Sequence, residues 1–127
     1  MRILAIGDII GRPGRSAVAR MLPGLRRTLG ADLVIANGEN AAGGIGLTPG
    51  TADELLAAGV DVITSGNHIW AHQEIVPYLE GEAPVLRPLN YPPGVPGRGS
   101  LVAGDADNAV LVVNLIGRTF MDAYDSP

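Results

Sequence analysis

Three short apolar runs, each trailing into a glycine and polar residues, constrain this chain more than any other feature. They are Arg2 to Gly7 followed by Asp8, Leu33 to Ala36 followed by Asn37-Gly38-Glu39-Asn40, and Val60 to Thr64 followed by Ser65-Gly66-Asn67-His68. Runs this short, rich in branched residues and bounded by glycine, read as buried strands. Between the first two, Val18, Met21, Leu22, Leu25 and Leu29 recur at helical spacing, with Pro13 in the first turn and Gly30 as the stop. Arg15, Arg20, Arg26 and Arg27 fall on the face left for water, and Pro23-Gly24 predicts a kink or break midway. Thr48-Pro49 opens a second helix over roughly Gly50 to Ala58, closed by Gly59. A short helix is expected over His72 to Leu79 and a fourth strand at Val85 to Arg87. Asn90 to Gly99 reads as an extended loop, and Ala109 to Ile116 as a last, β-branched strand. Strands alternate with helices, so the expectation is one α/β domain over residues 1–127, a mainly parallel sheet with right-handed crossovers.

In a parallel sheet all strands point the same way, and the residues that trail them share one edge. Open α/β sheets bind ligands at that edge. Asp8, Glu39-Asn40 and Asn67-His68 therefore converge by topology, with no local motif required. Gly7, Gly38 and Gly66 flank the three clusters and allow sharp turns and close approach of a ligand. Carboxylate and amide oxygens joined by imidazole suit Mn, Fe or Zn. A glutamate can bridge two cations, and two cations about 3.5–4 Å apart polarise a phosphoryl group. The chemistry this edge supports most economically is hydrolysis of a phosphate ester.

Each cluster taken alone has a plainer reading. Asp8 could be a helix cap, Glu39-Asn40 turn chemistry, and Asn67-His68 a cap with a satisfied histidine. Their recurrence after three successive strands is what favours a site. His72 stays a structural histidine, and Trp70 and Phe120 packing residues. Arg12, Arg15 and Arg87 are cations that could meet a phosphate, with solubility the plainer role for Arg15. Asn114, at the end of the last strand, divides between substrate contact and a turn. Gly7, Gly11 and Gly14 do not have dinucleotide-binding spacing, and the chain has no lysine for a phosphate loop. No G-x-S-x-G elbow occurs either.

Composition narrows the setting. Nine arginines against 13 acidic residues leave a net charge of −4, which gives no reason to expect docking on nucleic acid or an anionic membrane. There are no cysteines, hence no disulfide, thiolate ligand or Cys nucleophile. No stretch approaches the roughly 20 apolar residues of a membrane span, and the opening run is too short for a signal peptide. A soluble cytoplasmic protein is the expectation.

The segments Gly7-Asp8-Ile9-Ile10-Gly11-Arg12-Pro13-Gly14, Ala36 to Gly44, Thr64-Ser65-Gly66-Asn67-His68-Ile69-Trp70 and Leu86 to Gly94 resemble the YmdB-like branch of the calcineurin-type metallophosphoesterases. The resemblance covers nearly the whole chain. It implies a metallophosphoesterase-like α/β sandwich and a dinuclear iron or manganese centre, with Mg or Zn as lesser possibilities. It further implies phosphodiesterase activity on 2′,3′-cyclic nucleotides. By the same resemblance Asp8 binds one metal, Glu39 bridges both, Asn40 binds a metal or the nearby phosphate, and Asn67 binds the second metal. His68 is then not a ligand but the general acid that protonates the leaving oxygen.

The family's pattern continues beyond this length, with further histidine ligands, whereas this chain holds only His68 and His72. The expectation is an amino-terminal half, with the remainder missing or on another chain; the partner expectation is that carboxy-terminal half or a homo-oligomer. Alone, it is expected to bind metal weakly and to turn over little or nothing. Two other functions stay open: a non-catalytic binding or regulatory domain of phosphoesterase shape, and a metal-free nucleotide- or phosphate-binding α/β domain. Metal content of the intact protein separates them.

Overall fold

The computed structural model describes residues 1–119, 121 and 124–127. Phe120, read above as a packing residue, lies outside the described residues. The strands β1 (Ile3–Ile6), β2 (Leu33–Asn37), β3 (Val62–Thr64) and β4 (Val85–Leu86) form one four-stranded parallel sheet in sequence order. Three helices, α1 (Gly11–Leu29), α2 (Pro49–Ala57) and α3 (Ile75–Leu79), connect them, with a 3₁₀ segment at Asn67–Ala71 before α3.

Alternate residues of the strands face opposite layers. Val34, Ala36, Ile63 and Val85 pack with Val18 and Leu22 of α1, Leu55 of α2, Ile69, and Ile75 and Leu79 of α3. Burying a leucine as completely as Leu22, 1% exposed, is worth about 1.5–3 kcal/mol. Leu33, Val62 and Leu86 face the other way, onto Val112 and its neighbours Leu101, Ala103 and Val110. Those residues belong to an antiparallel ladder of β5 (Ser100–Ala103) and β6 (Val110–Val113). The order is therefore helices, parallel sheet, two-stranded sheet.

Several expectations change. The last strand is shorter than Ala109 to Ile116, and it pairs antiparallel with β5, a strand that the sequence pattern does not mark. The helix expected over His72 to Leu79 covers only Ile75–Leu79, and the 3₁₀ segment at Asn67–Ala71 lies ahead of the expected span. α1 runs unbroken through Pro23: both Pro23 and Ala19, whose carbonyl loses its partner there, are exposed, so water can take the free acceptor. Gly30 does end the helix, at φ 60°. Helical spacing puts Met21, Leu25 and Leu29 on the core stripe, but they are 57, 40 and 46% exposed, and Met21 and Leu25 line an open apolar surface with Ile6 of the edge strand β1. α2 opens as expected: Thr48 Oγ1 accepts from Thr51 N at 3.2 Å, and Thr51 Oγ1 from Thr48 N at 2.9 Å.

Two arginines assigned to water are working ties. Arg26 reaches Gly59 O at 3.0 Å and pairs with Asp61 at 3.0 Å. Arg15 pairs with Glu54 of α2 at 2.6 Å and donates to Ala41 O at 2.6 Å, so it locks α1 to α2 and to the loop after β2. Among the described residues, no helix is long and apolar enough to cross a membrane.

Candidate metal centre

The ladder of the parallel sheet continues past the strand ends and holds the three trailing loops side by side. Ile9 N donates to Asn37 O at 3.0 Å, Gly38 N to Thr64 O at 3.0 Å, and Gly11 N to Asn40 O at 2.9 Å. Loops fixed by their own backbones in this way bring their side chains together on the carboxyl edge.

Four of the five sequence-derived site residues are joined by hydrogen bonds there. Asn40 Nδ2 donates to both Asp8 oxygens, at 3.0 and 2.9 Å. His68 Nδ1 lies 2.6 Å from Asn40 Oδ1. The backbone N–H of His68 points to Glu39 Oε2 at 3.4 Å, and Glu39 N donates to Asn37 Oδ1 at 3.3 Å. Proton placement follows from the donor inventory. A carboxylate only accepts, so Asn40 presents its NH₂ to Asp8, its oxygen faces His68, and His68 donates from Nδ1. The ring's Nε2 stays free of that chain.

Asn67 is exposed and shares a cleft of about 360 Å³ with Glu39, Ser65, Gly66 and Asn114. Gly66 is what lets Glu39 enter: a β-carbon there would lie 2.7 Å from Glu39 Cδ. A slightly larger cleft, about 410 Å³, sits by Asp32, Asp61 and Arg98, at the opposite ends of the strands from these residues.

The remaining candidates separate from the cluster. His72 Nε2 bonds Ile45 O at 3.0 Å and supports the Gly-rich loop. Arg87 turns back on its own loop, to Pro88 O at 2.8 Å and Leu89 O at 3.3 Å. Trp70 packs edge-on to Tyr91 at 5.8 Å, and Tyr91 to Tyr124 at 4.8 Å. Burial foremost, then Tyr124, raises the Tyr91 phenol above the ordinary tyrosine range, and the charge of Glu39 acts in the same direction. The sequence reading misses this aromatic wall behind Glu39; its one clue is Tyr91 standing in a loop of Pro and Gly.

The donor set suits a hard or borderline cation: two carboxylates and two amides lie on one edge beside an imidazole. Asn40 Oδ1 has two lone pairs, and His68 takes one. Among the described residues, no three His, Asp or Glu side chains gather closely enough to hold an ion by themselves. By itself the set falls short of a complete coordination sphere.

Similarity to known proteins covers most or all of the chain. A solved structure of a hypothetical protein from Thermus thermophilus superposes with a TM-score of 0.93 at 49% identity, covering all of this chain and 49% of that one. A phosphatase from Mycoplasma pneumoniae superposes with a TM-score of 0.83 at 33% identity, over 91% of this chain and 42% of that one. The 2′,3′-cyclic-nucleotide 2′-phosphodiesterase of Bacillus subtilis (strain 168) is 42% identical over the whole chain, which spans 48% of that protein. The chain thus spans about half the length of these relatives. The model of the YmdB-like proteins matches residues 4–127, and the chain belongs to that family.

Proposed function

We propose that this chain carries the amino-terminal flank of a two-metal phosphodiesterase site acting on 2′,3′-cyclic nucleotides. The observation that carries the reading is the hydrogen-bonded run Asp8–Asn40–His68–Glu39 at the carboxyl edge of a parallel sheet. The name of the Bacillus subtilis relative supports the substrate class.

In this reading the Asp8 and Glu39 carboxylates and the Asn40 and Asn67 amide oxygens would hold two cations, iron or manganese. When bound, the cations supply Lewis-acid polarisation of the phosphoryl group. His68 acts on the leaving oxygen. Its Nδ1–H is held by Asn40, whose amide is in turn held by Asp8, so the ring has one orientation. With the imidazole protonated, Nε2–H is the proton it can give as the P–O bond to the ribose oxygen breaks. Water supplies the new oxygen on phosphorus. Cations on four oxygen donors are under-ligated, so full activity belongs to the protein at the length of its relatives.

The test is His68→Ala in the native-length protein, assayed on a generic phosphodiester with Mn(II). Turnover is expected to fall by about 10²–10⁴-fold, the usual contribution of a general acid, with metal content unchanged. Loss of metal would make His68 a ligand, and unchanged turnover would remove it from the reaction.

A further inference from the structure

We infer that Asn114 is a positioning residue for the Glu39–Asn67 side of the centre, acting through the Ser65–Gly66 peptide. This rests on the metal-centre reading above and adds a residue to it. Asn114 follows β6, in the layer behind the parallel sheet, yet its side chain reaches through to the strand ends. It is 8% exposed, and its Nδ2 donates to Ser65 O at 2.8 Å and Leu86 O at 3.1 Å. Its own backbone is fixed on both sides, with N to Gly99 O at 2.9 Å and O accepting from Leu89 N at 2.8 Å. The amide is thus aimed by four hydrogen bonds into the turn between β3 and Asn67.

What it holds is the peptide the site stands on. The Ser65 carbonyl sets the plane of the Ser65–Gly66 peptide. Gly66 carries the Glu39 carboxylate against its α-carbon, and Asn67 is the next residue. Turning that peptide moves the floor under Glu39 and the exit vector of Asn67 together. Leu86 O keeps a second donor, Ser65 Oγ at 2.7 Å, when Asn114 is lost. The Ser65 carbonyl is therefore the group that depends on Asn114. A buried amide committed to two carbonyls whose release would disturb two proposed ligands is more than a packing element.

Mn(II) titration of the native-length protein, read by calorimetry, tests this without relying on turnover. Asn114→Ala and Asn114→Asp are both expected to weaken Mn(II) binding by about 10- to 100-fold, as when a group that orients a ligand is removed. Asn114→His keeps one ring N–H near the carbonyls, and an intermediate loss is expected; it serves should the alanine variant not fold. Leu22→Ala, buried in α1 outside the site, controls for lost stability and is expected to keep wild-type affinity. Wild-type affinity in any folded Asn114 variant overturns the inference and leaves the metal-centre reading standing. Tighter binding by Asn114→Asp overturns it too, because Asn114 would then touch the cation directly. A wild-type protein that takes up no Mn(II) overturns both.

Discussion

The Glu39 carboxylate rests against the α-carbon of Gly66, so that a β-carbon on residue 66 would sit 2.7 Å from Glu39 Cδ. The φ of Gly66 is −144°, outside the left-handed region, so the requirement for glycine is contact and not backbone strain. The colliding atoms are the far end of a flexible side chain, which can swing away at little cost to the fold. Gly66→Ala is therefore expected to keep the melting temperature near wild type while lowering Mn(II) affinity by about tenfold or more, as a displaced ligand would. Calorimetric Mn(II) titration beside thermal melts checks it. Normal metal binding would remove Glu39 from the centre.

Asn40 fixes the tautomer of His68. Because Asn40 gives its NH₂ to Asp8, its oxygen can only accept from His68, and the neutral ring must carry its proton on Nδ1. Ring-nitrogen NMR shifts in labelled protein are expected to report the Nδ1–H form. Asn40→Ala is expected to release that preference and to lower kcat by about 10–100-fold or more, because it removes both the orientation of His68 and one proposed cation donor. An Nε2–H ring in the wild-type protein would reverse the amide and break the Asp8–Asn40–His68 relay.

The convergence of the candidate residues is legible in sequence because it depends on topology alone. β1, β2 and β3 are short apolar runs, and once they are parallel, Asp8, Glu39 and Asn67 must lie on one edge. The antiparallel ladder is hidden by its composition. In β6 only Val112 is buried, while Leu111 and Val113 are 63 and 42% exposed, yet all are apolar, so the run reads like a strand buried on both faces. β5 is four residues emerging from a Pro/Gly loop, too short to show a period. Asn114 is ambiguous in sequence for the same reason: the layer that lets its amide reach Ser65 cannot be inferred from its own neighbours. Arg26 and Arg15 are misplaced because helical periodicity marks a polar face but not the carboxylates that come to meet it.

Asp61 closes a reciprocal pair with Val34, and stability should register its loss. Asp61 N donates to Val34 O at 2.9 Å, Val34 N donates to Asp61 Oδ2 at 2.8 Å, and Arg26 pairs with the same carboxylate. Asp61→Ala strands the Val34 N–H at the start of a buried strand and is expected to cost about 1–3 kcal/mol. Asp61→Asn keeps an oxygen for that N–H and loses only the partly exposed ion pair, expected to cost under about 1 kcal/mol. Urea denaturation of both variants checks the order. Equal losses would mean that the ion pair, not the backbone bond, is what matters.

Tyr78 gives the fold an alkaline limit. Its hydroxyl donates to Asp53 Oδ1 at 2.6 Å, which ties α3 to α2. Burial, then the hydrogen bond to Asp53 and its charge, push the phenol from 10.0 up to about 12. Below the unfolded value both states hold the proton, and the contribution is fully present. Between the two values the unfolded chain has released a proton that the folded chain keeps, so stability falls as pH rises toward about 12. Tyr91, raised by burial, adds to the fall in the same direction. Tyr78→Phe cannot ionise, so its denaturation midpoint is expected to start lower, for want of the Asp53 bond, and to decline less steeply over that window. The check is denaturant midpoints at a series of alkaline pH values, with phenolate absorbance recorded alongside. Parallel declines in the two proteins would show that Tyr78 releases its proton at the same pH folded and unfolded, and that its bond to Asp53 carries no pH dependence.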